Sequence, residues 1–122
     1  GPRRGSAAVT AEEREERLYL ADIKDAIDRV LRYTHTGRDA FLADPMAQDA
    51  VVRNIEIMGE ATRGIPEAIK TAHPEIPWRD ISDMRNKVIH DYFRVDLGVV
   101  WDVVEKDLLP LKTQIEALLK GD

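Results

Sequence analysis

The sequence contains no cysteine in 122 residues. That absence excludes disulfide scaffolds, zinc–thiolate sites and cysteine nucleophiles together. Positive charge is not in excess either: 18 Lys and Arg stand against 23 Asp and Glu, a formal net charge of −5. This weighs against a protein that coats nucleic acid by charge alone, which needs a net basic face. No apolar run approaches the ~20 residues that cross a bilayer, and no signal-peptide pattern appears, so the expected location is the cytoplasm, away from membranes. There is no phosphate-cradling glycine motif and no His-Glu-x-x-His pair. The three histidines, His35, His73 and His90, lack metal-ligand spacing, and no metal or other cofactor is expected. Ser82 is the only serine besides Ser6, and nothing near it in sequence marks an activated nucleophile.

What is present is a globular composition, 43% apolar and 34% charged. A chain of this length forms one core and buries a modest share of its surface, which favours dimerisation. Residues 1–9 read as a tag remnant and linker, and residues 10–120 as a single helical domain. Thr10-Ala11-Glu12-Glu13 has the form of a capping box. After it, Tyr19, Ile23, Ala26, Ile27, Val30 and Leu31 recur at three- and four-residue steps, the stripe of a long helix. Lys24, Asp25, Asp28, Arg29 and Arg32 fall mostly on its other face, where a solvated surface is expected. Thr34 to Gly37 is a turn, and Phe41 and Leu42 plug the core from a short helix. Asp44 as cap and Pro45 at the first position start a second long helix, whose stripe is Ala47, Val51, Ile55, Met58 and Ala61. Gly64 is expected to end it in the left-handed conformation. A short helix follows to Ala72, and His73 to Pro77 is expected to be extended, since residues before proline leave the helical region. A third main helix is expected from Trp78 to about Asp91. Asp96 caps a last helix, in which Pro110 should produce a kink. Trp78 and Trp101 are expected to anchor the core or an interface. No segment has the period of a strand. The sum is an all-α, antiparallel helical bundle.

The chemistry concentrates in Arg85 to Tyr92, which gathers a fixed cation, an amide, an imidazole and a phenol at a helix end. Asn86 and His90 are four residues apart and would share a helical face, where the amide could set the imidazole's tautomer. Arg85 and His90 are five apart, about 140° around an ideal helix. They converge only through the long arginine stem, an unwound helix end, or a second copy of the chain. Glu56 and Glu60 also share a helix face; they are either solvated, or line a cleft, or meet a partner's basic surface, and no catalytic role is assigned to them.

The pattern Arg85-x4-His90-x-Tyr92 resembles the Arg-x4-6-His signature of HEPN-domain ribonucleases and the longer form found in HepT toxins. The text from Gln48 to Ala61, His73 to Trp78, Met84 to Asn86 and Val95 to Leu97 is similar as well, so the resemblance runs from about Glu16 to Leu119. It implies an all-α HEPN bundle, a homodimer in which two signatures meet in a cleft, and metal-independent endoribonuclease activity through a 2′,3′-cyclic phosphate. By that resemblance Arg85 and His90 are catalytic: His90 is general base or acid, and Arg85 binds the scissile phosphate. Asn86 is supporting. An imidazole titrates near neutrality, an arginine forks onto phosphate oxygens, and RNA supplies its own 2′-hydroxyl nucleophile. The resemblance further implies a type VII toxin–antitoxin pair, in which an MntA-type nucleotidyltransferase antitoxin neutralises the toxin by AMPylation of Tyr92. The RNA substrate is left open, with tRNA a candidate. The alternative is a non-catalytic helical module that binds a nucleotidyltransferase partner or a nucleotide; the net acidity leans toward it. Residues 79–94 nevertheless carry four basic and three acidic residues, a local excess of one positive charge.

Overall fold

The computed structural model describes residues 10–89 and 94–121. Among them are seven α-helices: α1 (Ala11–Tyr33), α2 (Arg38–Leu42), α3 (Pro45–Gly64), α4 (Glu67–Ala72), α5 (Trp78–Val88), α6 (Leu97–Asp102) and α7 (Leu108–Leu119). The capping box forms as the sequence suggests. The Glu13 amide donates to Thr10 Oγ1 at 3.0 Å, and the Thr10 amide donates to Glu13 Oε1 at 2.9 Å. Asp44 accepts from the amides of Met46 and Ala47 ahead of Pro45, and Asp96 accepts from Val99. Each cap satisfies amides that the first helical turn leaves without partners.

Side-chain contacts fix the packing register. Across α1 and α3, Arg29 meets Asn54 while Tyr19 lies beside Gly64. Across α1 and α7, Arg17 donates to the Leu119 carbonyl, Lys24 lies 4.0 Å from Glu116, and Lys112 lies 2.9 Å from Asp28. Across α3 and α5, Glu56 meets Arg85 and Arg63 meets the Ser82 carbonyl. In every pair the numbers rise on one helix as they fall on the other, so the packing is antiparallel. The stripes converge on one core, with Ile23, Ile27, Ile55, Met58, Ile81, Leu108 and Ile115 among its fully enclosed side chains. Phe41 caps it, its ring 5.7 Å from that of Trp101. Trp78 is buried, with its indole N–H on the His73 carbonyl at 3.0 Å, so both tryptophans are packing residues.

Four local expectations are corrected. Gly64 is not left-handed; among the described residues the positive-φ glycines are Gly37 and Gly121. Gly64 instead closes α3 where a Cβ would lie 2.6 Å from the Tyr19 ring, so close approach requires it. His73 to Pro77 is a turn and not an extended linker: the Ile76 amide donates to the His73 carbonyl, and Ile76 is buried. Pro74 at the second position of that turn presets its φ. Helix α5 stops at Val88, short of Asp91. Ile89 is extended and forms an isolated antiparallel bridge with Val95, and the Asp96 amide donates to the Val88 carbonyl at 2.7 Å. The irregularity expected around Pro110 is present as a π-helical turn, Val103–Asp107, just ahead of it, and the chain is helical on both sides. Finally, the charges of α1 are not simply a solvated face. Lys24 and Lys112 clasp Asp28 at 2.7 and 2.9 Å, and Arg29 Nε donates to the buried Asn54 Oδ1 at 2.7 Å. Burial alone pushes the Asp28 carboxyl up, but the two lysines outweigh it and hold the group below the ordinary carboxylate value.

Candidate functional site

Helix α5 buries Trp78, Ile81, Met84 and Val88 and ends at Val88. These residues turn inward and leave Arg85, Asn86 and Lys87 exposed in the last turn. Arg85 faces α3. Its Nε donates to Glu56 Oε2 at 3.0 Å, and about half of its side chain remains open to solvent. Glu56 is the only hydrogen-bond partner of that guanidinium among the described residues.

Gly59 faces α5 where the two helices come close. A Cβ there would lie 3.3 Å from the Ser82 carbonyl, tighter than an ordinary contact. The same carbonyl accepts from Arg63 Nη2 at 3.0 Å, and Arg63 lies 3.6 Å from Glu60. Glu56, Glu60 and Arg63 fall at four- and three-residue steps with Gly59 beside Glu60, so one stripe of α3 carries the whole seam. Two arginines, each beside a glutamate, therefore lie along the α3–α5 seam with their side chains about half exposed. Glu56 was visible to sequence reading only as half of an unassigned acidic pair. Its partner is 29 residues away, and no local pattern announces such a contact.

Of the residues singled out in the sequence, the structure places Arg85 and Asn86 on the exposed end of α5. His90 and Tyr92 lie outside the described residues. The face that Asn86 and His90 were expected to share on α5 is cut off, because the helix has ended before position 90. Glu60 pairs with Arg63 and not with Arg85. His35 Nδ1 lies 2.9 Å from the Arg32 carbonyl, and His73 lies 3.5 Å from Glu75; both are loop residues. A cleft of about 370 Å³ lies between α5 and α7, lined in part by Met84, Lys87, Lys106 and Pro110, but Arg85 does not border it. Among the described residues, no three His, Asp or Glu side chains gather as a metal site would require.

The described residues form an all-α, antiparallel bundle of the HEPN type, with Arg85 exposed at the end of α5. The family model for "Ribonuclease HepT-like" matches residues 23–118, and the chain belongs to that family. It is 44% identical over 109 residues to "Probable ribonuclease HepT" of Thermococcus cleftensis, covering 88% of this chain and 99% of that protein. It is 36% identical over 107 residues to "Putative RNase TTE0752" of Caldanaerobacter subterraneus, covering 87% and 96%. It also matches, at 37% identity, 49% of the length of a Methanocaldococcus jannaschii protein named "Gamma-glutamylcyclotransferase and putative RNase MJ0434", with 88% of this chain covered. No solved structure matches the chain.

Proposed function

We propose that residues 10–120 form a metal-independent endoribonuclease, the toxin of a toxin–antitoxin pair, acting in the cytoplasm as a homodimer. The observation that carries the reading is the position of Arg85 in a HepT-like chain: exposed at the end of α5, one turn before the helix gives way at Ile89. The 140° separation of Arg85 and His90 applies to an unbroken helix. With α5 ended at Val88 it no longer keeps the two apart, and a second protomer can bring them to one cleft.

The chemistry then follows. His90 takes the proton of a 2′-hydroxyl, or gives one to the departing 5′-oxygen. The 2′-oxygen attacks phosphorus, the bond to the 5′-oxygen breaks, and a 2′,3′-cyclic phosphate forms. Arg85 meets the charge that develops on the phosphoryl oxygens, where a fixed guanidinium acts most strongly. Asn86 supports by hydrogen bonding. Tyr92 is the control point: a nucleotidyltransferase antitoxin transfers AMP from ATP to its phenol oxygen and pyrophosphate leaves. The added phosphodiester then occupies the position intended for RNA.

The test is cleavage of tRNA by the pure protein in EDTA. The parent chain should leave cyclic-phosphate ends, and His90→Ala should fall by roughly a hundredfold or more, the usual worth of a general acid or base. Tyr92→Phe should stay toxic to cells while escaping neutralisation. Equal cleavage by His90→Ala and the parent would sink the assignment. Binding of RNA without cleavage would favour the non-catalytic module, toward which the net charge of −5 leans.

A further inference from the structure

We infer that Glu56 is a positioning residue for the nuclease site: it holds Arg85 by Nε alone and so aims the guanidinium's other two nitrogens at a phosphate. The inference rests on the reading of Arg85 given above. Three observations lead to it. The contact is a one-point hydrogen bond, Nε to Oε2 at 3.0 Å, and not a fork that would occupy both edges. About half of the Arg85 side chain is open to solvent, while Glu56 is two-thirds covered and held on the middle of the twenty-residue α3. The helix that carries Glu56 is seated against α5 by Gly59, so the carboxylate is a fixed point relative to the arginine stem.

An arginine has five N–H donors in a rigid plane. With Nε engaged, the plane can no longer rotate freely about the side-chain axis, and the paired terminal nitrogens keep one direction. That is the arrangement a bidentate phosphate contact requires. A long side chain without such a tether spreads over many rotamers, and misplacement by about 1 Å can reduce a rate by about 10²-fold. Glu56 also places a negative charge next to an anion site. Its carboxylate therefore lowers affinity for the RNA backbone while raising the fraction of bound RNA that is correctly held.

These two effects separate in a short series of variants measured with tRNA in EDTA, single turnover, and with a fully 2′-O-methylated RNA that binds but cannot react. Glu56→Ala should cut roughly tenfold or more slowly. It should bind the methylated RNA at least as tightly as the parent, with an unchanged melting temperature within a few degrees. Glu56→Gln should recover most of the rate, because its amide oxygen still accepts from Nε, and should bind the methylated RNA more tightly than the parent. Glu60→Gln removes the same charge one turn away, beside Arg63, and should cut within about twofold of the parent. Glu56→Ala cutting as fast as the parent while Arg85→Ala is inactive would overturn the positioning role and leave the nuclease reading standing. Faster cleavage by Glu56→Ala would mean that the carboxylate merely competes with phosphate, which also overturns it. Loss of rate in Glu56→Gln and Glu60→Gln alike would reduce the effect to surface charge. If Arg85→Ala cuts like the parent, the reading of the site fails and this inference fails with it.

Discussion

Single residues in this protein take their character from partners on other helices. Asp28 shows it best. Alone on the surface of α1 it would be an ordinary carboxylate, but Lys24 on its own helix and Lys112 on α7 depress its pKa despite partial burial. A carboxylate whose folded pKa lies below its unfolded value contributes stability above the unfolded value. That contribution is lost as the pH falls through the folded one. Asp28→Asn should therefore unfold in less urea at neutral pH, by about 1 kcal/mol after allowance for solvent screening. The gap to the parent should close in acid, below the ordinary carboxylate range; a gap that persists unchanged in acid would show that packing, not charge, is responsible. Arg85 follows the same logic. Its presence in the signature was plain from the text Arg85-x4-His90-x-Tyr92, but its pairing with Glu56 was not. Ion pairs between helices depend on which faces meet, and that is set by packing elsewhere.

Helices here begin where the sequence says and end where the tertiary structure says. The starts at Thr10, Asp44 and Asp96 depend on side chains that cap their own amides two or three residues on, a local interaction readable in any context. The ends at Gly64 and Val88 depend on distant groups. Gly64 is read correctly as a stop, yet for the wrong reason, since what it accommodates is the ring of Tyr19, 45 positions earlier. Val88 ends α5 because its carbonyl and the backbone of Ile89 are taken up by Asp96 and Val95. Gly59 is a third case. As a helical residue it is unfavourable by about 1 kcal/mol relative to alanine, and its use is to let the α5 backbone come close. Gly59→Val should lower stability by about 2 kcal/mol through overpacking against Ser82. By moving α5 off α3 it should also slow RNA cleavage more than its effect on melting would suggest. A variant as stable and as active as the parent would refute this account of the seam.

At the level of the whole molecule, the acidic chain and the small basic excess around α5 fit a site completed by pairing two copies, since two local patches then face one ligand. A two-fold dimer brings the same surface of each protomer together. If each site takes Arg85 from one protomer and His90 from the other, mixing inactive Arg85→Ala with inactive His90→Ala regenerates one complete site in each mixed dimer. Random exchange should restore roughly a quarter of the parent cleavage rate. If both residues act within one chain, mixing restores nothing. Size measurement of the parent by analytical ultracentrifugation should show the dimer on which the test depends. Among the described residues, no helix is long and apolar enough to cross a membrane.

The sequence by itself determined the helical class, the core stripes, three helix starts and the family, because each rests on spacing along the chain or on the ordered set of its motifs. Only the tertiary structure decided where α5 stops, what two glycines face across the helices, and which carboxylate holds Arg85. Those outcomes depend on groups far apart in number and close in space, and a contact across 29 residues leaves no periodic trace in the chain that makes it.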